Sequence, residues 1–334
     1  SLSYMSGMEK IGDSLFASSS NSIYEIELTD NTTSPENWTA RTSNTAKELY
    51  GAVYGNNTFV TVGEDGEILT SPDGISWAAR TSGTTKDFMG VAYGNNTFVT
   101  VGNNGKIFTS PDGTTWTAQT SGVDKKLNGV TYSTDKFVAV GSGGTILTSA
   151  DGTTWTEQTS QTTMALLGVT YGNNVFVVVG ASGTILTSPD GTAWTAETSG
   201  IVKYLNGVTY GNGLFVTIGA SGTILTSADG TTWTSRSTGS SNELKAVTYG
   251  NSTFVTVGRA GNIFSSPDGT TWTSRTSGTQ RNLWGVAYGD GTFVTVSYEA
   301  TIHTSSVEST SSATVSTLSL SGIDNSTSVN FEKM

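Results

Sequence analysis

Residues 205–233 read LNGVTYGNGLFVTIGASGTILTSADGTTW, and the chain repeats this stretch, slightly altered, almost from one end to the other. Trp233 belongs to a series of seven tryptophans with Trp38, Trp77, Trp116, Trp155, Trp194 and Trp272, each 39 residues after the one before; Trp284 alone stands outside it. A repeat of about 40 residues is a helical solenoid unit or a propeller blade, so the pattern inside it decides. It reads as four short strands. The first, L-x-G-V-T-Y, ends at a Gly-Asn turn such as Tyr171-Gly172-Asn173-Asn174, where glycine relieves the penalty of positive φ. The second is F-V-T-V-G, as at 98–102, followed by a two-residue connection, Asn103-Asn104 in one copy and Ala181-Ser182 in another, flanked by glycine as a tight hairpin requires. G-T-I-L-T-S is the third, and after the turn S-P-D-G the fourth opens on T-T-W-T. Val, Ile, Phe, Tyr, Trp and Thr dominate, which suits strands.

Both faces of these strands carry apolar residues, as expected when each small sheet is sandwiched between two others. Four-stranded sheets stacked radially are propeller blades. A linear β-solenoid has shorter coils and parallel strands, whereas these hairpin turns make each unit an antiparallel meander. The expected fold is all-β, a closed β-propeller of four-stranded antiparallel blades.

One such ring accounts for nearly all 334 residues, giving a single domain over 1–320 with a tail at 321–334. The chain has no cysteine, so disulfides, thiolate nucleophiles and Cys-based metal sites are excluded, and strand pairing must close the ring. The net charge is −11 although only 13% of residues are charged, leaving the surface to Thr, Ser, Asn and Gly. That balance is typical of exported and virion-surface proteins, and the expected location is extracellular, at a cell surface or on a virion. An acidic chain lacks the basic footprint that nucleic acid demands. No apolar run approaches the roughly 18 residues that cross a bilayer, so no membrane insertion is expected. The chain opens on Ser1 instead of Met, consistent with removal of a leader.

Six regular copies begin at Leu49, Phe88, Leu127, Leu166, Leu205 and Leu244. Ahead of them, residues 1–42 align as a worn copy: Met5-Ser6-Gly7-Met8 matches 205–208, Leu15-Phe16 matches Leu214-Phe215, Ile23-Tyr24 matches Ile224-Leu225, and Trp38 closes the unit, with an insertion around Asp30 to Thr33. An eighth copy from Leu283 keeps three strands, the third around His303, then loses the Asp-Gly turn and the Trp; Val315, Leu318 and Leu320 are the candidates for its fourth strand. Counting the worn copy gives eight blades, which the blade-like residues 1–30 favour. The alternative is seven, with the strand at Trp38 crossing over to complete the Leu283 blade.

The turn recurs as Ser71-Pro72-Asp73-Gly74-Ile75-Ser76-Trp77, as Ser110-Pro111-Asp112-Gly113-Thr114-Thr115-Trp116, and at Asp151, Asp190, Asp229 and Asp268; all five prolines sit at such turns, Pro35 in the worn copy. Asp accepts backbone N–H groups, Gly supplies the permissive backbone, and Trp packs beneath. The motif resembles the Asp-box of BNR-repeat propellers, but that pattern has a residue between Asp and Gly and sets the aromatic one position later. The resemblance implies the fold. It leaves function open among sialidases, photosystem assembly factors, sortilin-like receptors and sugar-binding surface proteins, and it implies that the six aspartates serve folding.

No catalytic set assembles. His303 is the only histidine and has no matched triad or metal partners. Resemblance to sialidases would require an arginine triad, yet Arg41, Arg80, Arg236 and Arg275 each lie three residues after a repeat Trp, leaving only Arg259 and Arg281. Nothing calls for a cofactor or a metal ion, and no pair among the 27 carboxylates stands out for glycoside chemistry. A sialidase-like glycoside hydrolase is therefore the least favoured reading.

Positions that vary while the scaffold does not are the candidates for binding. Two residues before each first strand stand Lys47, Lys86, Lys125, Met164, Lys203, Asn242 and Arg281. On a closed ring this becomes a circle of positive charge near the central channel, suited to an anionic ligand. A second variable row follows the opening apolar residue: Tyr50, Met89, Asn128, Leu167, Asn206, Lys245 and Trp284. Aromatic and amide groups beside a basic mouth suit an acidic sugar. The expected partner is an anionic glycan or another surface or virion protein. The expected role is a non-enzymatic exported binding or display propeller; the alternative is a structural subunit of a virion, filament or surface layer that docks through its Ser/Thr-rich tail.

Overall fold

The computed structural model describes the backbone of residues 7–11, 14–19, 22–29, 37–306 and 312–318, and side chains from 37 to 305. Two compact units result, residues 34–307 and a second formed by 1–33 with 308–334. Apart from seven short 3₁₀ turns, every described element is a strand.

The larger unit is a ring of seven four-stranded antiparallel blades. Blades 1 to 6 occupy residues 49–80, 88–119, 127–158, 166–197, 205–236 and 244–275, each a simple meander with strands a to d in sequence order. In blade 5 these are Leu205–Gly211, Leu214–Gly219, Ile224–Ser227 and Thr234–Arg236. Blade 7 takes strands a to c from Leu283–Gly289, Thr292–Ser297 and Ile302–Ser306, but its strand d is Thr39–Arg41 from the other end of the chain. Thr39 lies opposite Thr304 and Arg41 opposite Ile302.

The expected count of eight is thus corrected to seven. The third strand of blade 7 has an open edge, the Trp38 segment fills it, and the worn copy is left with three strands. Those three, Gly7–Ile11, Ser14–Ser19 and Ser22–Thr29, form the second unit with Ser312–Leu318, so that Ile26 faces Val315 and Ile23 faces Leu318. The tail strand therefore completes the N-terminal sheet and not the last blade. Pro35, Leu320, the insertion at Asp30 to Thr33 and the tail 321–334 lie outside the described residues.

Each blade repeats one aromatic sandwich. Phe59, Phe98, Phe137, Phe176, Phe215, Phe254 and Phe293 are fully buried, each with a strand-a tyrosine at 4.5 to 4.7 Å between ring centroids. The repeat tryptophan lies beyond it, 6.5 Å from Phe59 to Trp77 and the same from Phe293 to Trp38. Tilted aromatic pairs of this kind add to the gain from burial itself.

Glycine has a different use at the first turn from the one expected. The positive φ falls on the two residues after it, 46° and 54° at Asn95 and Asn96, the geometry of a type I′ hairpin. Gly94 is required instead by its neighbour: a Cβ there would stand 2.0 Å from Cγ of Tyr132 in the next blade. Farther along strand a, the blades touch through backbone: a Cβ on Gly285 would lie 2.8 Å from the Tyr50 carbonyl, where blade 7 meets blade 1 and the ring closes.

The Asp turn behaves as its chemistry requires. Asp151 Oδ1 accepts from the backbone N–H of Thr153 and Thr154 at 2.8 and 3.1 Å, Thr153 donates its hydroxyl to Oδ2 at 2.6 Å, and Trp155 Nε1 donates to the Gly152 carbonyl at 2.9 Å. Gly152, at φ +79°, abuts Val99 of the preceding blade, so each turn also joins blades.

Candidate ligand-binding face

Strand a starts, and the b–c turn closes, on the same side of the ring; the Asn and Asp turns lie on the other. The first side, here the lead-in face, holds both variable rows. A backbone irregularity repeated in every blade explains the second row. Leu49 pairs with Gly63 and Gly51 with Val62, leaving Tyr50 as an extra, unpaired residue; the same shift recurs at Met89, Asn128, Leu167, Asn206, Lys245 and Trp284. A β-bulge kinks the strand and re-aims one side chain. These seven residues are therefore released from the ladder just where the inner strands crowd together, and can vary without disturbing it.

From blade 5 round to blade 1 the bulge residues are joined. Glu243 accepts from Lys245 Nζ at 2.8 Å, Arg259 Nε at 2.8 Å and Asn206 Nδ2 at 3.0 Å. Burial alone would raise the Glu243 carboxyl, but the hydrogen bonds from Lys245 and Asn206 and the Lys245 and Arg259 charges hold it below the usual carboxylate range. Lys245 Nζ lies 4.5 Å over the Trp284 ring, and Trp284 meets Tyr50 edge to face at 6.0 Å. Tyr50 donates its hydroxyl to Glu48 at 2.8 Å; burial, then that bond and the charges of Glu48, Asp87 and Glu64, push its phenol well above the ordinary range. Asn128 and Asn206 also reach the next blade, donating to the Leu166 and Leu244 carbonyls. They clasp blades as well as line the mouth.

The row of cations is uneven. Lys47 pairs with Glu67 at 3.6 Å and Asp65 at 4.0 Å, and Arg281 with Glu299. Lys86, Lys125 and Lys203 are exposed and, among the described residues, hold no ion pair. The circle of charge is thus compensated at blades 7 and 1 and open at blades 2, 3 and 5. The acids that do this, Asp65, Glu67 and Glu299, sit in or beside the b–c turns, and Glu64 beside them accepts the Glu48 backbone N–H at 3.2 Å. These acids and Glu243 were not among the candidates, and Arg259 stood there without a partner, although these turns vary between copies as plainly as the two rows do: E-D-G-E, N-N-G-K, A-S-G-T, R-A-G-N.

The residues set aside keep to the scaffold. Arg41, Arg80, Arg236 and Arg275 each bond the strand-c hydroxyl beside them, Thr304, Thr70, Thr226 and Ser265, at 2.8 to 3.0 Å. Each stands on the outermost strand of its own blade, so they do not converge. His303 occupies the place held by Leu or Phe in the other blades, is 3% exposed, and its Nδ1 has no partner among the described residues. No group of three His, Asp or Glu side chains among them is placed to hold a metal ion, and no helix is long and apolar enough to cross a membrane.

Fold and face together define a seven-bladed β-propeller with a structured mouth on one side. Residues 91–204 match the family described as the DUF6242 beta propeller domain. No curated protein matches the chain in sequence. Among solved structures it is similar to YCF48 bound to D1 peptide (TM-score 0.68, 15% identity, covering 84% of this chain and 98% of that one). YCF48 from Cyanidioschyzon merolae is also similar (TM-score 0.66, 15% identity, 80% and 98%). So is virginiamycin B lyase from Staphylococcus aureus (TM-score 0.74, 12% identity, 81% and 99%). At these identities the likeness is one of fold.

Proposed function

We propose that this protein is a non-enzymatic binding propeller that holds an anionic ligand on its lead-in face. The observation that carries this reading is the bulge repeated in all seven blades, which frees one variable side chain per blade at the mouth of a fixed scaffold. The open ammonium groups of Lys86, Lys125 and Lys203 supply the charge preference, and an acidic glycan from a cell or virion surface has the required chemistry. That a propeller of similar fold is described with a bound peptide supports the use of this scaffold for binding. The Asp turns, which resemble the BNR Asp-box, are scaffold in this reading.

Titration of alginate oligosaccharides and oligoglutamate against the full chain tests it. The double variant Lys86→Gln/Lys125→Gln should bind more weakly and with a flatter salt dependence, since screened charge is the proposed source. Thermal stability should scarcely change. Undiminished binding at low salt would remove the proposal.

A second reading, a structural subunit of an exported assembly, draws on the terminal sheet. Its register sets Leu15, Tyr24, Ile26 and Val315 at positions of one face, and two-faced sheets need a covering layer. Removal of residues 307–334 separates the two: assembly is lost in this reading, while ligand binding persists in the first.

A further inference from the structure

Among the described residues, five large apolar side chains are exposed, and three of them stand on two neighbouring lead-in loops: Met164 of blade 4 at 43%, and Val202 and Tyr204 of blade 5 at 86% and 53%. The b–c turn Ala181–Gly183 bridges the two loops. Its Ala181 N–H donates to the Ala165 carbonyl at 2.8 Å, and a Cβ on Gly183 would stand 2.1 Å from the Ile201 carbonyl. A shallow groove follows this junction, lined by Gln161, Thr162, Ser182, Gly183 and Val202.

Acidic groups stay at the edge of the patch: Glu197 lines the outer end of the groove and accepts the Thr187 hydroxyl at 2.7 Å, and Asp124 stands on the blade 3 loop, where it accepts from Asn104. Residues 159–167, 181–184, 198–206 and 220–223, which are the lead-in loops and b–c turns of blades 4 and 5, contain no Asp or Glu, and their one charged side chain is Lys203, set between Val202 and Tyr204. Lys125 and Lys126 of blade 3 are exposed on the adjoining loop. The contrast is blade 1, where Glu48, Glu64, Asp65 and Glu67 crowd the same positions.

We infer that blades 4 and 5 are the docking surface for a segment of a partner protein in which carboxylates alternate with aliphatic or aromatic side chains. This rests on the anionic-ligand reading of the same face and names the ligand as polypeptide. Aliphatic Val202 and Met164 offer a sugar neither hydrogen bonds nor a stacking plane, whereas both fit an apolar side chain. Methionine adapts to irregular partners, and Tyr204 brings a rigid, amphipathic anchor of the kind interfaces favour. Lys203 and Lys125 then meet the carboxylates on either side. Loss of water from the apolar groups gives the affinity, and the charges select the partner.

The probe is a short, labelled, end-blocked peptide of alternating Glu and Leu, titrated against the full chain by fluorescence anisotropy beside oligoglutamate and alginate oligosaccharides. The variant Met164→Ser/Val202→Ser/Tyr204→Ser should weaken peptide binding at least roughly tenfold, as expected for removing several apolar contacts. All three side chains are exposed, so its melting temperature should match the parent, and Ile75→Ser on the opposite face should bind as the parent does. If all three probes bind equally, and only Lys86→Gln/Lys125→Gln weakens them, the anionic mouth stands and the polypeptide inference is wrong. Peptide binding untouched by the triple substitution overturns it too. If no probe binds, both fall.

Discussion

Trp38 packs at a tilt of 51° against Phe293, their ring centroids 6.5 Å apart, although 255 residues of chain separate them. The same pair inside blade 1, Phe59 and Trp77, is 6.5 Å apart as well. The N-terminal tryptophan therefore fills the place that the last copy lost, and carries strand Thr39–Arg41 onto the open edge of blade 7.

Removal of that ring should loosen the whole circle and not one blade alone. Trp38→Ala is expected to cost about 3–5 kcal/mol, as for other buried tryptophans, and denaturant unfolding should remain a single transition. A loss below about 1 kcal/mol would show that blade 7 does not depend on the N-terminal strand.

His303 sits in the same blade, where six other blades place Leu69, Phe108, Leu147, Leu186, Leu225 or Phe264. Burial lowers its affinity for a proton, so its folded pKa lies below the ordinary value of about 6.5. Between those two values the unfolded chain binds more protons than the folded one, and stability therefore falls as pH drops below about 6.5. His303→Leu should raise the melting temperature and flatten its change between neutral and mildly acidic pH. An unchanged pH slope in this variant contradicts the assignment.

The Asp turns titrate lower still. The Thr153 hydroxyl, the N–H groups of Thr153 and Thr154 and the Ser149 hydroxyl hold Asp151 well below the usual carboxylate range against the opposing effect of burial, and Asp112, Asp190, Asp229 and Asp268 are held down in the same manner. Their contribution is present above the unfolded pKa of about 3.9 and is lost as pH falls through the lower folded values. Asp151→Ala should cost about 1 kcal/mol at neutral pH, the discounted worth of charge-assisted bonds at an exposed turn. The loss should shrink when measured below about pH 3; a cost independent of pH would assign the aspartate a packing role instead.

Most of the scaffold was legible because the repeat exposes it. The tryptophan spacing, the four strands, the Asp turn and the outer arginines all follow from comparing copies within one chain. The blade count was legible only as a choice between eight and seven, since residues 7–29 keep the strand pattern of a blade and only the pairing of the Trp38 segment with strand c of blade 7 decides for seven. The two variable rows were legible as positions, but their environment was not. Glu67 lies 20 residues from Lys47 and Glu299 lies 18 from Arg281, so the pairings that silence those cations depend on how a b–c turn folds back beside the lead-in loop. The exposure of Met164, Val202 and Tyr204 was equally hidden, because an apolar residue in a lead-in loop reads like the start of a strand.

Amide hydrogen exchange with and without saturating oligoglutamate tests the central claim most directly, because it reports which side of the ring the ligand covers. Slowed exchange is expected in the lead-in loops at 81–89, 120–128 and 198–206, with the Asn and Asp turns unaffected. Protection confined to the Asp turns at 110–116 and 188–194, or spread evenly over both faces, would contradict it.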